Sequence, residues 1–402
     1  MNAIDVTATP TATTGQPHTT EQWAQEQTRG RTNGHRPVLG PRIAGLAVSD
    51  SDTTLTQRAV LDRLGLTGDE FAERIFAHSR IERRHLQLDD EFLARTTQGR
   101  AQAVEDELLR HSVLAVDSFG APGEDALAHG QDALAPADGR PRAMFDPARV
   151  GSVVSASLYS LGLPTLAHRL AEHYQLGPTV DKYHVTGVGC ASAVPLMRMA
   201  AGVMQQHPGR DSVIVAAESM SSILMRGGEA DPRAKTVGSA IFGDGCAAAL
   251  LSHDPDADGP AIVATQVHQI GGTLGAVALS FAPEDSYLHL ARELPDLAGA
   301  GLPGVVERFL REHDVAHAEI DHWIVHPGGR RIIENAQRAL QLTDEQIELA
   351  WETLANHGNV GTPSIFYVLR DTIARRHPQP GERGLAVTIG PGVTVGLMLL
   401  QW

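Results

Sequence analysis

Hydrophobic and polar positions along this chain switch between two periods. Residues 55–78 put Leu55, Val60, Leu61, Leu64, Phe71 and Ile75 at helical spacing, and 98–118 read as a second helix. Residues 150–158 read as a strand and 164–175 as a helix. An extended run ends at Gly187 and Gly189, and Val194, Leu196, Met197, Met199, Ala200 and Val203 then restart the helical period. Residues 213–217 form a short apolar strand, and the turn Phe242-Gly243-Asp244-Gly245 leads into another. Further on, 304–313 is helical, 322–325 a strand, and 331–340, 344–355 and 362–377 are helices. A strand over 384–389, the turn Gly390-Pro391-Gly392 and a last apolar strand close the chain. This alternation predicts an α/β fold with substantial sheet. The two halves have similar size and element order, as an internal duplication would produce.

Composition narrows the picture. At 402 residues the chain is long enough for about two to three units of ~150 residues. Residues 1–40, rich in Thr, Gln, Gly and Pro, read as a disordered tail. The polar stretch 254–260 divides an N-terminal half, 41–255, from a C-terminal half, 256–402. A formal charge of −15 without a basic run argues against nucleic acid and against anionic membranes as partners. No apolar run reaches the length of a membrane span, and the N-terminus lacks a signal-peptide pattern. Two cysteines, Cys190 and Cys246, argue against a disulfide framework and for the cytoplasm. Scarce lysine beside abundant arginine, alanine and glycine points to a GC-rich bacterial genome.

Cys190 stands at a strand-to-helix corner between glycines and a helical run. Facing a helix dipole there, a thiol is expected to have a lowered pKa and to act as a nucleophile. A cysteine in an apolar stretch is otherwise a small buried hydrophobe. His326 leaves a strand into Pro327-Gly328-Gly329, where sites of α/β folds gather. Among 19 histidines it means little alone. Asn359, in Gly358-Asn359 before a helix, is by itself an N-cap. Together the three suit acyl transfer, with His326 activating the thiol and both donors facing an oxyanion. Arg80-Ile81-Glu82-Arg83-Arg84-His85 is a basic cluster that reads first as a solvated helix end.

Gly189-Cys190, Phe242-Gly243-Asp244-Gly245, His326-Pro-Gly-Gly, Gly358-Asn359 and Gly390-Pro391-Gly392 occur in that order over residues 41–402. The set resembles the type III polyketide synthases, the chalcone-synthase-like branch of the thiolase superfamily. Pro-Gly-Gly after His326 favours this branch over the ketoacyl synthase III enzymes. The resemblance implies a thiolase-like fold of two similar halves in α-β-α-β-α layers, and a homodimer with Leu163 reaching across its interface. It also implies an acyltransferase chemistry. Cys190 takes an acyl group from coenzyme A and His326 holds the thiolate as an ion pair. His326 and Asn359 polarise the malonyl thioester, and the enolate left by loss of CO2 condenses with the acyl-Cys190. No metal or organic cofactor enters, acyl-CoA and malonyl-CoA being substrates. A small aromatic or pyrone product of secondary metabolism is the expected end.

By the same resemblance, Phe242 matches a gatekeeper and Leu288 a second one. Ser221, Leu224 and Gly361 fall where members vary cavity size, and Gly390 and Gly392 lie in the terminal loop. Arg83 and Arg84, with Arg331, are expected to meet coenzyme A phosphates, for which the arginine fork is suited. The chain departs from the pattern at Leu158 and Tyr159, which replace small hydroxyl residues of the cavity. Two other readings stay open: a ketoacyl-synthase-III-like enzyme performing one condensation, and a non-catalytic scaffold indifferent to Cys190→Ala. A papain-like hydrolase is disfavoured by the position and surroundings of the cysteine.

Overall fold

The expected helix over 55–78 is two helices: Gly65, at φ +69°, follows the end of the first, and Asp69 caps the next by accepting the Ala72 N–H. The computed structural model describes residues 40–120, 145–158, 160, 162–187, 189–223, 232–281 and 286–402. The expected N-terminal tail, Tyr159 and Leu224 lie outside them. The strands are β1 Arg42–Ser49, β2 Thr54–Thr56, β3 Arg83–His85, β4 Val150–Ala156, β5 Asp181–Val185, β6 Asp211–Glu218 and β7 Gly245–Ser252. They continue with β8 Ala261–Gln269, β9 Val277–Phe281, β10 Ser286–Leu290, β11 His322–Val325, β12 Arg383–Gly390 and β13 Thr394–Gln401. The helices are α1 Gln57–Arg63, α2 Glu70–His78, α3 Asp90–Ala94, α4 Thr97–Asp117, α5 Leu166–His173 and α6 Ala193–Val203. After them come α7 Pro232–Ile241, α8 Leu294–Glu312, α9 Arg330–Ala339, α10 Asp344–His357 and α11 Ser364–Asp371.

Nine strands form one mixed sheet in the order β11-β12-β13-β8-β1-β7-β6-β4-β5. Its two sides repeat a pattern. β4 is parallel to β6, β6 antiparallel to β7, and β7 antiparallel to β1. Likewise β11 is parallel to β12, β12 antiparallel to β13, and β13 antiparallel to β8. The two first strands, β1 and β8, meet in the middle through Arg42 and Ala261, and β5 is an additional strand on the N-terminal side. The described residues fall within one compact unit.

Strand alternation sorts side chains into three layers of core. Val213, Val215 and Ala217 of β6 pack under α4 and α5, whereas Ile214 and Ala216 pack on α6 and α11. Val395, Leu397 and Leu399 of β13 pack under α8, α9 and α10, whereas Met398 and Leu400 share the α6–α11 layer. The order is therefore α4/α5, sheet, α6/α11, sheet, α8/α9/α10: five layers, as the resemblance implies. α6 is apolar on nearly every side because a sheet covers it on both. Among the described residues no helix is long and apolar enough to cross a membrane.

Candidate active site

Cys190 sits in the turn Gly189–Ala191, between β5 and α6. Gly189 holds φ +58°, a conformation that a residue with a Cβ adopts at a cost, and an added Cβ would lie 3.0 Å from Pro391. Gly390 lets the end of β12 come against the same turn: a Cβ there would be 2.6 Å from both the backbone N and the Cβ of Ala191. Pro391 opens the turn that carries Gly392, whose carbonyl accepts the Thr273 hydroxyl at 2.8 Å. The last loop of the chain thus forms one wall of the cysteine turn.

Asn359 follows α10 and is pinned on every side. Its backbone N–H donates to Ile241 at 2.7 Å, and its carbonyl accepts from Gly243 at 3.1 Å. These bonds make a short bridge to Phe242, which is buried beside it. Its side-chain Oδ1 accepts the Gly361 N–H at 2.9 Å and the Ser364 hydroxyl at 3.3 Å, which fixes the amide orientation. Nδ2 is left to donate to the Gly328 carbonyl at 3.3 Å and to face Cys190 Sγ at 3.8 Å, with Oδ1 3.7 Å from the sulfur. Asn359 is no simple N-cap. Its amide links the cysteine turn to the Pro-Gly-Gly turn of His326.

His326 leaves β11 with its N–H bonded to Val387. Its ring is buried against Gly328, and Nδ1 has no partner among the described residues. Burial pulls the imidazole down to about 4. Cys190 departs from the expected low thiol pKa. Burial pushes it up to about 12; the Asn359 amide opposes the rise and the Glu218 charge adds to it. α6 begins only at Ala193, and lost hydration is the largest cause of the shift. Both shifts run in the direction opposite to a thiolate–imidazolium pair.

Arg84 corrects a second expectation. It is fully buried on the short strand β3, donating Nη1 to the Ser239 and Phe242 carbonyls at 2.7 and 2.6 Å and Nη2 to Gln57 Oε1 at 2.6 Å. Burial pulls its guanidinium down to about 9, against the attraction of Asp244. No face is left for a phosphate, and Arg84 instead braces the Phe242–Asn359 bridge. Its neighbour Arg83 points to solvent and lines an open polar cavity of about 680 Å³. Arg331, on α9, is exposed and paired with Asp296 at 3.0 Å.

Of the expected cavity residues, Ser221 spends its hydroxyl on Asp244 at 2.6 Å and accepts the Gln87 N–H. Gly361 packs against Met220 and Glu218. Leu288 stands opposite Leu279 in the β9–β10 hairpin. Leu158 is half-buried, and its N–H donates to Glu218 at 2.8 Å. Glu218 escaped the sequence reading altogether. It ends β6 fully buried, bonded to Leu158 and to Thr362, whose hydroxyl also reaches the Gly189 carbonyl. Burial raises its carboxyl to about 7, against the hydrogen bonds of Leu158 and Thr362. The signal was present in Val-Ile-Val-Ala-Ala-Glu, an acid closing an apolar strand.

The chain is similar to known proteins over most of its length. Residues 261–402 match the C-terminal domain of chalcone and stilbene synthases, and 141–269 match the FAE1/type III polyketide synthase-like proteins. The chain belongs to the type III polyketide synthases. A 3,5-dihydroxyphenylacetyl-CoA synthase of Streptomyces toyocaensis is 28% identical over 90% of both chains. A 1,3,6,8-tetrahydroxynaphthalene synthase of Streptomyces peucetius subsp. caesius is 29% identical over 63% of this chain and 68% of its own. The fold is that of the tetrahydroxynaphthalene synthase of Streptomyces coelicolor A3(2), a bacterial type III polyketide synthase. Its TM-score is 0.77 at 20% identity, covering 90% of this chain and 99% of that one. As a polyketide synthase, the protein is an enzyme of the acyltransferase type.

Proposed function

We propose that Cys190, His326 and Asn359 carry out decarboxylative condensation of coenzyme A thioesters. The observation that carries this is the Asn359 amide, oriented by Gly361 and Ser364, with Nδ2 facing the Cys190 sulfur. His326 takes the thiol proton as acyl-CoA enters, and the thiolate attacks the thioester carbonyl. Coenzyme A leaves with that proton. Malonyl-CoA follows; its carboxylate departs as CO2, and the enolate oxygen is held by Asn359 Nδ2 and His326. The enolate carbon attacks the acyl-Cys190 carbonyl and frees the sulfur. Decarboxylation supplies the driving force, so this chemistry calls for no metal or organic cofactor.

The half containing residues 41–255 then supplies the nucleophile, and 256–402 both donors. Phe242, Leu158, Gly361, Gly390 and Gly392 shape the space around the growing chain, which closes to an aromatic or pyrone product. Arg83 and Arg331 are the solvent-facing cations for coenzyme A phosphates. Leu163 is 89% exposed, an apolar side chain that a second copy of the chain would cover, and a cytoplasmic homodimer is the proposed form.

Incubation with malonyl-CoA, alone and with a panel of acyl-CoA starters, read by mass spectrometry, tests the reading. Products extended more than once, lost in Cys190→Ala, are expected. A product limited to one condensation would instead place the enzyme with the single-condensation branch of the superfamily.

A further inference from the structure

A second cluster of chemically able side chains lies outside the condensing groups. Asp50 follows β1, His85 ends β3 and His357 ends α10. One donor atom from each lies within 4.8 Å of the other two. All three line the open polar cavity, with side chains 17%, 14% and 15% exposed. His357 Nδ1 is 3.2 Å from Asp50 Oδ1, and His85 Nε2 is 3.6 Å from Asp50 Oδ2.

The hydrogen bonds behind these atoms decide what they are suited to. His85 Nδ1 lies 2.9 Å from the Ser51 carbonyl, which can only accept, and 3.3 Å from the Thr54 hydroxyl, which can accept as well as donate; the shorter contact puts the ring proton on this nitrogen. In the neutral ring Nε2 therefore aims a lone pair at a carboxylate, at a distance too long for a hydrogen bond. Two electron-rich atoms facing each other are satisfied by a cation between them. The outer contacts match what metal-bound groups use. His85 is oriented by a backbone carbonyl, and the Tyr367 hydroxyl donates to Asp50 Oδ1 at 2.8 Å. With metal–ligand bonds of ~2.0–2.1 Å a tetrahedron has edges of about 3.3 Å, close to the 3.2 Å between His357 Nδ1 and Asp50 Oδ1.

The charges around the cavity point the same way. Asp52 is paired with Arg110, Asp371 with Arg370 and Glu352 with Arg375. Among the described residues Asp50 faces the two imidazoles and the tyrosine hydroxyl. Arg83 also lines the cavity, but it is exposed and screened by solvent.

We infer that Asp50, His85 and His357 form a binding site for a divalent transition-metal ion of the Zn²⁺ class, with its fourth position open to the cavity. Two imidazoles and one carboxylate are the donor set that suits such ions. The inference does not depend on the condensation chemistry, which uses none of these residues.

The test uses the full-length chain bearing Cys190→Ser, which removes a competing thiol. It is stripped with chelator and titrated with Zn²⁺ alone. One ion per chain is expected, with affinity falling about 100-fold or more in His85→Gln and in His357→Gln and about 10-fold in Tyr367→Phe. Co²⁺ in the parent protein should show the intense visible bands of four-coordination, a readout that does not depend on how the variants fold. Absence of stoichiometric Zn²⁺ uptake, uptake unchanged by His85→Gln, or only the weak bands of six-coordinate Co²⁺ would overturn the site and leave a hydrogen-bonded His–Asp–His cluster.

Discussion

In the N-terminal half of the sheet β4 has a neighbour, β5, on its outer side; in the C-terminal half its counterpart β11 is the edge. The cysteine turn follows the strand that has no counterpart. His326 follows the strand that does, at the place equivalent to the Leu158 loop after β4. The scaffold is thus close to two-fold in its strands and unlike in the chemistry proposed for it. Parallel strands bring their carboxyl ends to a common region, and each half contributes there something the other lacks. A nucleophile and its oxyanion donors have opposite requirements: one must lose a proton, the others must keep theirs.

Removing the N-terminal contribution is the sharpest break. Cys190→Ala should abolish the acyl adduct on intact-protein mass spectrometry and lower product formation by at least ~10⁴-fold, with circular dichroism unchanged. Next comes the C-terminal contribution. Asn359→Ala should slow malonyl-CoA decarboxylation by about 10²–10³-fold while Cys190 still loads, measured as CO2 release against acyl-enzyme formation. Equal loss of loading and decarboxylation would erase the division of labour.

Arg84 tests the support beneath both. Arg84→Ala strands two carbonyls and Gln57 in a buried site, and should cost about 3–5 kcal/mol in denaturant unfolding. The more conservative Arg84→Lys should leave KM for malonyl-CoA near the wild-type value, whereas a phosphate ligand would raise it.

A smaller effect is expected in pH. With the thiol raised to about 12, iodoacetamide alkylation of Cys190 in the free enzyme should keep climbing above pH 9. A plateau near neutrality would restore the ion pair. Glu218→Gln removes a charge that raises the thiol pKa and should shift the alkylation profile to lower pH. Gly390→Ala is the mildest of the series. Its Cβ would crowd Ala191, at a cost of about 1–3 kcal/mol and with slower acyl loading.

Cys190, His326 and Asn359 were legible because glycines and a proline mark their corners, and corners are where backbone geometry speaks through residue type. Arg84 was not, because a run of charges does not say which side chain turns inward. Arg83 and Arg84 sit side by side on a strand, so they point to opposite faces. β8 carries Thr265, Gln266, His268 and Gln269, and its burial fades along the strand, so it shows no apolar period. The three-residue strands β2 and β3 are too short to show one, yet they position His85 and Arg84. The upward push of burial on the thiol was hidden for a related reason: a sequence displays the helix that follows but not the depth at which the turn is buried.

The middle helices have a consequence for how the molecule holds together. α6 belongs to the N-terminal half, yet it packs on β8 and β13; α11 belongs to the C-terminal half, yet it packs on β1 and β7. Each half has lent its inner helix to the other. Leu196 and Met197 of α6 and Phe366 and Leu369 of α11 are nearly fully buried, at about 1.5–3 kcal/mol each. Neither half made separately would have a finished core, so the chain is expected to melt as one cooperative unit and to resist being split at residues 254–260, however well that linker looks the part.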